Sequence, residues 1–256
     1  MMHILMTGWE GMIGSRLSKY LGEKGHKITK FEGDVTDEGA WADHYGHSKI
    51  NMIIHLAALA GVRDSMKYPD KYYHANVNGT RNMFEFAHDA LVDRVLYASS
   101  SNAYEWWGNP YAATKKMNEV QAECYSGIAS IGMRFHTVWP GRDDMLFRKL
   151  ENNKVTYINT GHTRDFIHVI DLMRAIEMII RYFDKVLPEK VVDIGTGQSI
   201  QVSDVAKVFN FDGTWVQSNP IGERIKTCAN IEWLKKLDWS PRYNILNKEH
   251  HVDYTP

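Results

Sequence analysis

A tyrosine and a lysine stand four residues apart in Tyr111-Ala112-Ala113-Thr114-Lys115. On a helix that spacing puts both side chains on one face. A free phenol has a pKa of about 10, too high for an effective base at neutral pH. A nearby ammonium favours the phenolate, which can then take a hydroxyl proton while hydride leaves the same carbon. Ser99-Ser100-Ser101 precede this pair at the end of an apolar run. A serine at the carboxyl end of a parallel strand faces the ligand crevice and can hydrogen-bond the reacting oxygen. Tyrosine and lysine at this spacing also occur on ordinary surface helices. The motifs in front of them favour the chemical reading.

Near the N-terminus the chain runs Thr7-Gly8-Trp9-Glu10-Gly11-Met12-Ile13-Gly14. The triplet lies between an apolar strand and an amphipathic helix, as a dinucleotide fingerprint requires. Gly8 permits the tight turn, Gly11 lets backbone approach a pyrophosphate, and Gly14 lets helix and strand pack closely. Met12 and Ile13 open the helix, whose N–H groups and partial positive charge suit phosphates. Glu32 ends the second strand, where an acid hydrogen-bonds the adenosine ribose and repels a 2′-phosphate. That favours NAD over NADP; the plainer reading is a solvated surface acid. Asp34 and Val35 are expected beside the adenine, and Glu10 is expected to point to solvent.

The elements that must position these residues alternate. Strands are expected at His3 to Thr7, Lys27 to Phe31, Asn51 to Ala58, Val92 to Ser99 and Ser130 to Phe135. A helix from Ile13 to Leu21 closes at Gly25, and a short polar one spans Glu38 to Tyr45. A long one spans Asp70 to Asp89 with Pro69 at its start, and another spans Tyr111 to Ser126. Such alternation predicts a Rossmann-like α/β fold with a doubly wound parallel sheet. Farther on, strands are expected at Val155 to Ile158 and Val191 to Ile194, and helices at Val169 to Phe183, Val202 to Phe209 and Asn230 to Lys236. They predict a small C-terminal α/β substrate lobe. The cofactor domain is expected over 1–136 and 165–197, and the second lobe over 137–164 and 198–256.

Composition narrows the classes. The chain has 256 residues, 44% apolar and 24% charged, which excludes a disordered polymer, a collagen-like fibre and a membrane bundle. Thirty basic residues face 31 acidic ones, so no global field draws the chain to nucleic acid or anionic lipid. An anion must then be bound by a local site. Two cysteines, Cys124 and Cys228, make no disulfide framework, which suits a cytoplasmic protein. No signal peptide or stretch of membrane length is visible. The twelve histidines show no metal-ligand spacing; His44 and His47 share a helix face without a partner set, and His250 and His251 lie in a polar tail.

In sequence order, TGWEGMIG, HLAALAGVR (His55 to Arg63), NVNGT (Asn76 to Thr80), YASSS, YAATKK, TRDFIHVID (Thr163 to Asp171) and DIGTG (Asp193 to Gly197) resemble the extended short-chain dehydrogenases of the NAD-dependent sugar-nucleotide epimerase/dehydratase family. The resemblance covers the chain from about Ile4 to Tyr243. Within that family AGVRDS, YAATKKMNE, RFHTVWPGRDDMLF and VTYIN are most similar to UDP-glucuronate 4-epimerases. It implies a base at Tyr111, its partner at Lys115 and an assisting hydroxyl at Ser100, four residues before Tyr104. It adds cofactor contacts from Leu56, Ala57 and Ala58 and substrate contacts from Arg63 and Ser101. Arg164 falls on the phosphate-binding arginine, Tyr157 near the uracil-stacking residue, and Glu223 and Arg224 on a late pair that touches ribose and diphosphate. Thr137 and Arg142 match residues near the sugar carboxylate, although the segment between them is two residues short. The implied partners are a UDP-sugar and a second copy of the chain, packed through the helices at Asp70 to Asp89 and Tyr111 to Ser126.

Dehydratases of the family carry Asp-Glu after the catalytic threonine, and related decarboxylases keep the glutamate. Ser101 and Asn102 stand there instead, and neither is a carboxylate acid or base. The expected reaction is therefore epimerisation at carbon 4, with UDP-glucuronate preferred. An epimerase of UDP-glucose or UDP-N-acetylglucosamine is one alternative, and a non-catalytic nucleotide sensor on the same fold is another. Two segments are shorter than the pattern. After Glu32 the chain passes straight into Gly33-Asp34-Val35-Thr36-Asp37, which resembles the end of the family's third strand, so Glu32 fits either of two places. Only ten residues separate Ser100 from Tyr111, and they include Trp106-Trp107, a flap over the nicotinamide or packing against a neighbouring helix. His136 replaces an aromatic residue, and a hydrogen-bonded structural role is the expectation.

Overall fold

The computed structural model describes residues 1–44, 49–218 and 220–252. By internal contacts the described residues form two units, one of Met1–Arg134 with Asp184–Val192 and one of Phe135–Phe183 with the described residues from Asp193.

In the first unit the glycine turn joins β1 (His3–Thr7), buried at every residue, to α1 (Met12–Glu23). β2 (Lys27–Lys30), α2 (Glu38–Ala42) and β3 (Met52–His55) follow. The expected helix at 38–45 is thus shorter, and Tyr45 lies outside the described residues, as does His47. After β3 come α3 (Val62–Lys67), missed in the sequence, and α4 (Pro69–Tyr72). A π-helical turn, Tyr73–Asn78, joins α4 to α5 (Gly79–Asp89), so the expected long helix is one run with a widened middle. β4 (Arg94–Ser100), a tight 3₁₀ segment (Ser101–Gly108), α6 (Pro110–Cys124) and β5 (Ala129–Phe135) complete this part. Pro110 starts α6 with its φ already set, and the Asn109 side chain accepts from the Ala112 N–H at 2.8 Å as a cap.

The later elements are β6 (Thr137–Trp139), α7 (Leu146–Glu151), β7 (Tyr157–Asn159), β8 (Thr163–Arg164), β9 (Phe166–His168), α8 (Val169–Arg181), α9 (Phe183–Val186), β10 (Val191–Ile194), β11 (Ile200–Gln201), α10 (Val202–Val208), β12 (Thr214–Val216) and α11 (Glu232–Lys235).

The main sheet has the order β10-β5-β4-β3-β1-β2. Ile4 pairs with Ile28 on one side and Met52 on the other, and Ile53 with Val95, all parallel. A full doubly wound sheet carries a third strand outside the second. Among the described residues β2 is the edge, and neither the third strand nor its helix occurs. The reason is length: a crossover to another parallel strand needs a dozen or more residues, and Phe31–Asp37 leads directly into α2. Lys27 and Lys30 on the exposed edge discourage further pairing. The core of this unit gathers Leu5, Phe31, Trp41, Ile53, Phe84 and Tyr97.

The second unit holds three two-stranded pairings, β6 with β9, β7 with β12, and β8 with β11. Its core collects Trp139, Phe147, Leu150, Ile158, Phe166 and Val205. The histidine tail is packed, contrary to expectation. His251 stacks on Phe209 at 5.1 Å and meets the Ile245 carbonyl at 2.7 Å, while His250 Nδ1 accepts from the Asn244 N–H at 2.8 Å. A polar tally overlooked the flat apolar faces of the imidazoles.

Candidate functional site

Gly8 has φ +65, and a Cβ there would lie 2.5 Å from the Ala57 nitrogen. A Cβ on Gly14 would collide with the Gly8 carbonyl oxygen. Gly11 is exposed and caps α1 without any side-chain hydrogen bond, so the first-turn N–H groups around Met12 and Ile13 are left for a ligand. Beside this turn is a cavity of about 270 Å³ lined by Gly8, Trp9, Glu10, Phe31, Glu32, Gly33, Asp34, Val35 and Ala57. The donor-rich helix start and the adjoining cleft fit a dinucleotide's diphosphate and adenosine. Glu32, Asp34 and Val35, within four consecutive positions, all line this one cavity. Glu10 is exposed and lines it too. Asp34 accepts from Thr36 N and Oγ1 at 2.9 and 2.8 Å, which holds its carboxyl below the usual range.

Leu56, Ala57 and Ala58 form the loop leaving β3. The Thr7 hydroxyl ties that loop down, accepting from the Ala57 N–H at 3.2 Å and meeting His55 Nδ1 at 2.8 Å. The other His55 nitrogen meets the Thr80 hydroxyl at 3.2 Å. Burial, followed by the positive field of Lys115, pushes the imidazole down to about 3. The ring is neutral and joins β1, β3 and α5. The motifs containing these three residues were visible in the sequence; their mutual contact was not.

Tyr111 lies in the first turn of α6, half-buried and edge-on to Tyr72 at 6.2 Å between ring centres. Lys115 is one turn on, buried, and its ammonium donates to the Ala98 carbonyl at 2.9 Å. Burial pulls it down to about 8. Ser100 is buried at the carboxyl end of β4, where its hydroxyl accepts from the Asn102 backbone and side-chain nitrogens at 3.2 and 3.3 Å. Ser101 is also buried, at the start of the 3₁₀ segment. Arg63 is exposed on α3. Trp106 and Trp107 are 49% and 70% exposed, and their rings meet edge to face at 5.9 Å between centres.

Another turn along α6 is Glu119, a residue with no role assigned from the sequence. Its carboxylate accepts from Ser99 Oγ at 2.7 Å, from Arg134 in a fork at 2.7 and 2.7 Å, and from Lys116 at 3.1 Å. Burial works to raise its pKa, but these bonds hold it below the usual range. The Arg134 guanidinium also covers the Tyr104 ring at 4.3 Å. α6 therefore grips consecutive β4 residues: Lys115 holds Ala98 and Glu119 holds Ser99. The four-residue spacing of Tyr111, Lys115 and Glu119 was the available signal.

In the second unit Arg164 donates to the Thr163 and Ile225 carbonyls at 2.8 and 3.1 Å. Burial lowers its pKa, Glu223 opposes that and Arg224 adds to it. Arg164, Glu223 and Arg224 therefore form one charged cluster. His162 joins it 3.9 Å from the Glu223 carboxylate, another residue the sequence did not single out. Tyr157 is exposed on β7. Thr137 is half-buried and its N–H donates to the Asp165 carbonyl at 2.9 Å. Arg142 is forked by Asp144 at 2.9 and 3.0 Å, an intramolecular carboxylate in the geometry that a bound one would take. His136 is buried with both ring nitrogens unbonded and the Asp193 carboxylate 3.7 Å away, so the expected hydrogen bond is not made. Among the described residues no cluster of metal-ligating side chains occurs, and no helix is long and apolar enough to cross a membrane.

A family model described as the NAD dependent epimerase/dehydratase family matches residues 4–195. An uncharacterised protein of Methanocaldococcus jannaschii is 32% identical over 78% of this chain and 77% of its own. A UDP-glucuronate 4-epimerase of Thermodesulfobacterium geofontis is 26% identical over 95% of this chain and 92% of its own. Among solved structures, MoeE5 in complex with UDP-glucuronic acid and NAD superposes with a TM-score of 0.82 at 25% identity, covering 95% of both chains.

Proposed function

The chain belongs to the NAD-dependent epimerase/dehydratase family, and from that premise we propose that it is a 4-epimerase of a UDP-sugar, with UDP-glucuronate the preferred substrate. One observation carries the reading. A buried ammonium, Lys115, sits one helical turn from Tyr111 beside the serine-rich end of β4, where Ser101 and Asn102 stand in place of carboxylates. That equipment moves a proton on and off an alcohol oxygen but does not eliminate water.

Gly8, Gly11, Met12, Ile13 and Gly14 would hold the NAD diphosphate, with Glu32, Asp34, Val35 and Leu56 to Ala58 around the adenosine side and Lys115 on the nicotinamide ribose. When bound, NAD supplies the acceptor and later the donor of the hydride at carbon 4. The Tyr111 phenolate takes the carbon-4 hydroxyl proton as the carbinol becomes a ketone, with the Ser100 hydroxyl on the same oxygen. The Lys115 ammonium favours that phenolate. After the keto sugar turns over, Tyr111 returns the proton and the inverted carbinol forms. A glucuronate gives a β-keto acid at the intermediate stage, prone to lose carbon dioxide. Thr137 and Arg142 would hold its carboxylate away from the geometry of that loss. Arg164, Glu223 and Arg224 would take the substrate diphosphate and ribose, Tyr157 the uracil, and Arg63 and Ser101 the sugar.

In this reading residues 1–136 and 165–197 serve the cofactor and 137–164 and 198–256 the nucleotide sugar. The working form is a homodimer packed through α4–α5 and α6, whose exposed Tyr73, Met117 and Val120 support such a contact.

Incubation with UDP-glucuronate, UDP-glucose and UDP-N-acetylglucosamine, followed at carbon 4 by NMR, tests the proposal. Inversion of UDP-glucuronate is expected. Turnover of only a neutral sugar would remove the carboxylate role of Arg142 and Thr137. Tyr111→Phe should lower turnover by a factor of about 10² or more while bound NAD, read by mass spectrometry, is retained; full activity in that variant would sink the mechanism.

A further inference from the structure

Trp9 contributes nothing to the glycine geometry of the first turn, yet the fold holds its indole firmly. The ring nitrogen donates to the Phe31 carbonyl at 3.0 Å, and the Lys30 ammonium lies 4.1 Å from the ring centre. Both anchors come from β2 and the residue after it, at the sheet edge exposed by the missing third strand. The half-buried indole lines the cavity that also holds Glu32, Asp34 and Val35.

The lining of that cavity is chemically mixed. Gly8 offers open backbone for a diphosphate. Glu10, Glu32 and Asp34 are carboxylates, which can accept from ribose hydroxyls and oppose a further phosphate. Trp9, Phe31, Val35 and Ala57 add an apolar lining suited to a flat uncharged heterocycle. The Trp9 N–H is already bonded, and its ring is anchored before any ligand arrives. Little ordering cost is then left for binding.

We propose that the Trp9 indole is the wall of the adenosine subsite, packing against the adenine ring in a sheet that ends at β2. The proposal rests on the dinucleotide reading above and assigns this chain's own solution to a shortened fold.

Equilibrium dialysis of the full chain against labelled NAD, with AMP or nicotinamide mononucleotide as competitor, tests it. Trp9→Ala should weaken NAD and AMP by the same factor, roughly tenfold or more for a base that loses an aromatic partner. The inhibition constant of nicotinamide mononucleotide should not change. An alanine variant that binds AMP as tightly as the wild type overturns the proposal. Trp9→Phe decides the matter should the alanine chain fail to fold. AMP should quench tryptophan emission more in the wild type than in Trp9→Phe, and equal quenching in both overturns the role. A wild-type chain that binds neither NAD nor AMP would overturn the dinucleotide reading, and Trp9's role with it. Tight NAD binding that ignores Trp9 would overturn only the latter.

Discussion

Lys115 shows how a side chain's surroundings set its working range. Burial disfavours its charge and brings its pKa to about 8 from 10.5. Below about 8 the ammonium is present in folded and unfolded chains alike, and the folded chain bears the desolvation cost. Between about 8 and 10.5 the unfolded chain binds a proton that the folded one has released, so this group's contribution to stability rises with pH. The catalytic expectation has the opposite sign. Turnover should fall as pH rises above about 8, because the phenolate loses its ammonium. A pH–rate profile recorded beside a denaturant titration separates the two; loss of activity that tracks unfolding would refute the assignment. Replacing Lys115 by alanine should remove the upper limb along with most of the rate.

At the scale of elements, two buried devices fix the crevice. Arg134 from β5 neutralises Glu119 of α6, which in turn holds Ser99 of β4. Removing one partner of a buried pair strands the other charge, so Arg134→Ala should cost about 3 kcal/mol in urea unfolding. A change near zero would mean that water replaces the guanidinium. The other device is the His55 bridge from Thr7 to Thr80. Its folded value is about 3 against an ordinary 6.5. Within that window the unfolded chain binds a proton the folded chain refuses, so stability declines as pH falls from 6.5 toward 3. His55→Asn should be less stable at neutral pH and show a shallower acid slope between these limits; an unchanged slope would exclude His55 as its source.

At the scale of the whole molecule, shortening has consequences at the surface. The first unit ends at an edge strand guarded by Lys27 and Lys30. On α6, Met117 and Val120 are 42% and 56% exposed. If α4–α5 and α6 form the dimer contact, Val120→Glu should bury a charge against its own copy. Sedimentation should then show a wild-type dimer and a variant shifted at least tenfold toward monomer. A wild-type chain that sediments as a monomer would dismiss the contact.

The sequence by itself determined the fold class, the family and the dinucleotide chemistry. Each depends on local residue order: glycines where a backbone must turn or be approached, apolar runs of strand length, and a tyrosine and lysine one turn apart. It also showed that residues were missing after Glu32. Only the tertiary structure decided what was lost, the third strand itself, because edge and interior strands of four residues look alike until their neighbours are known. For the same reason Glu119, Arg134 and the His55 bridge passed unnoticed: the partners that tie them to other elements are 15 to 48 positions away. The packed histidine tail and the anchored Trp9 were hidden too. A side chain's type announces its capacity to pack or bond, and distant chain segments choose which capacity is used.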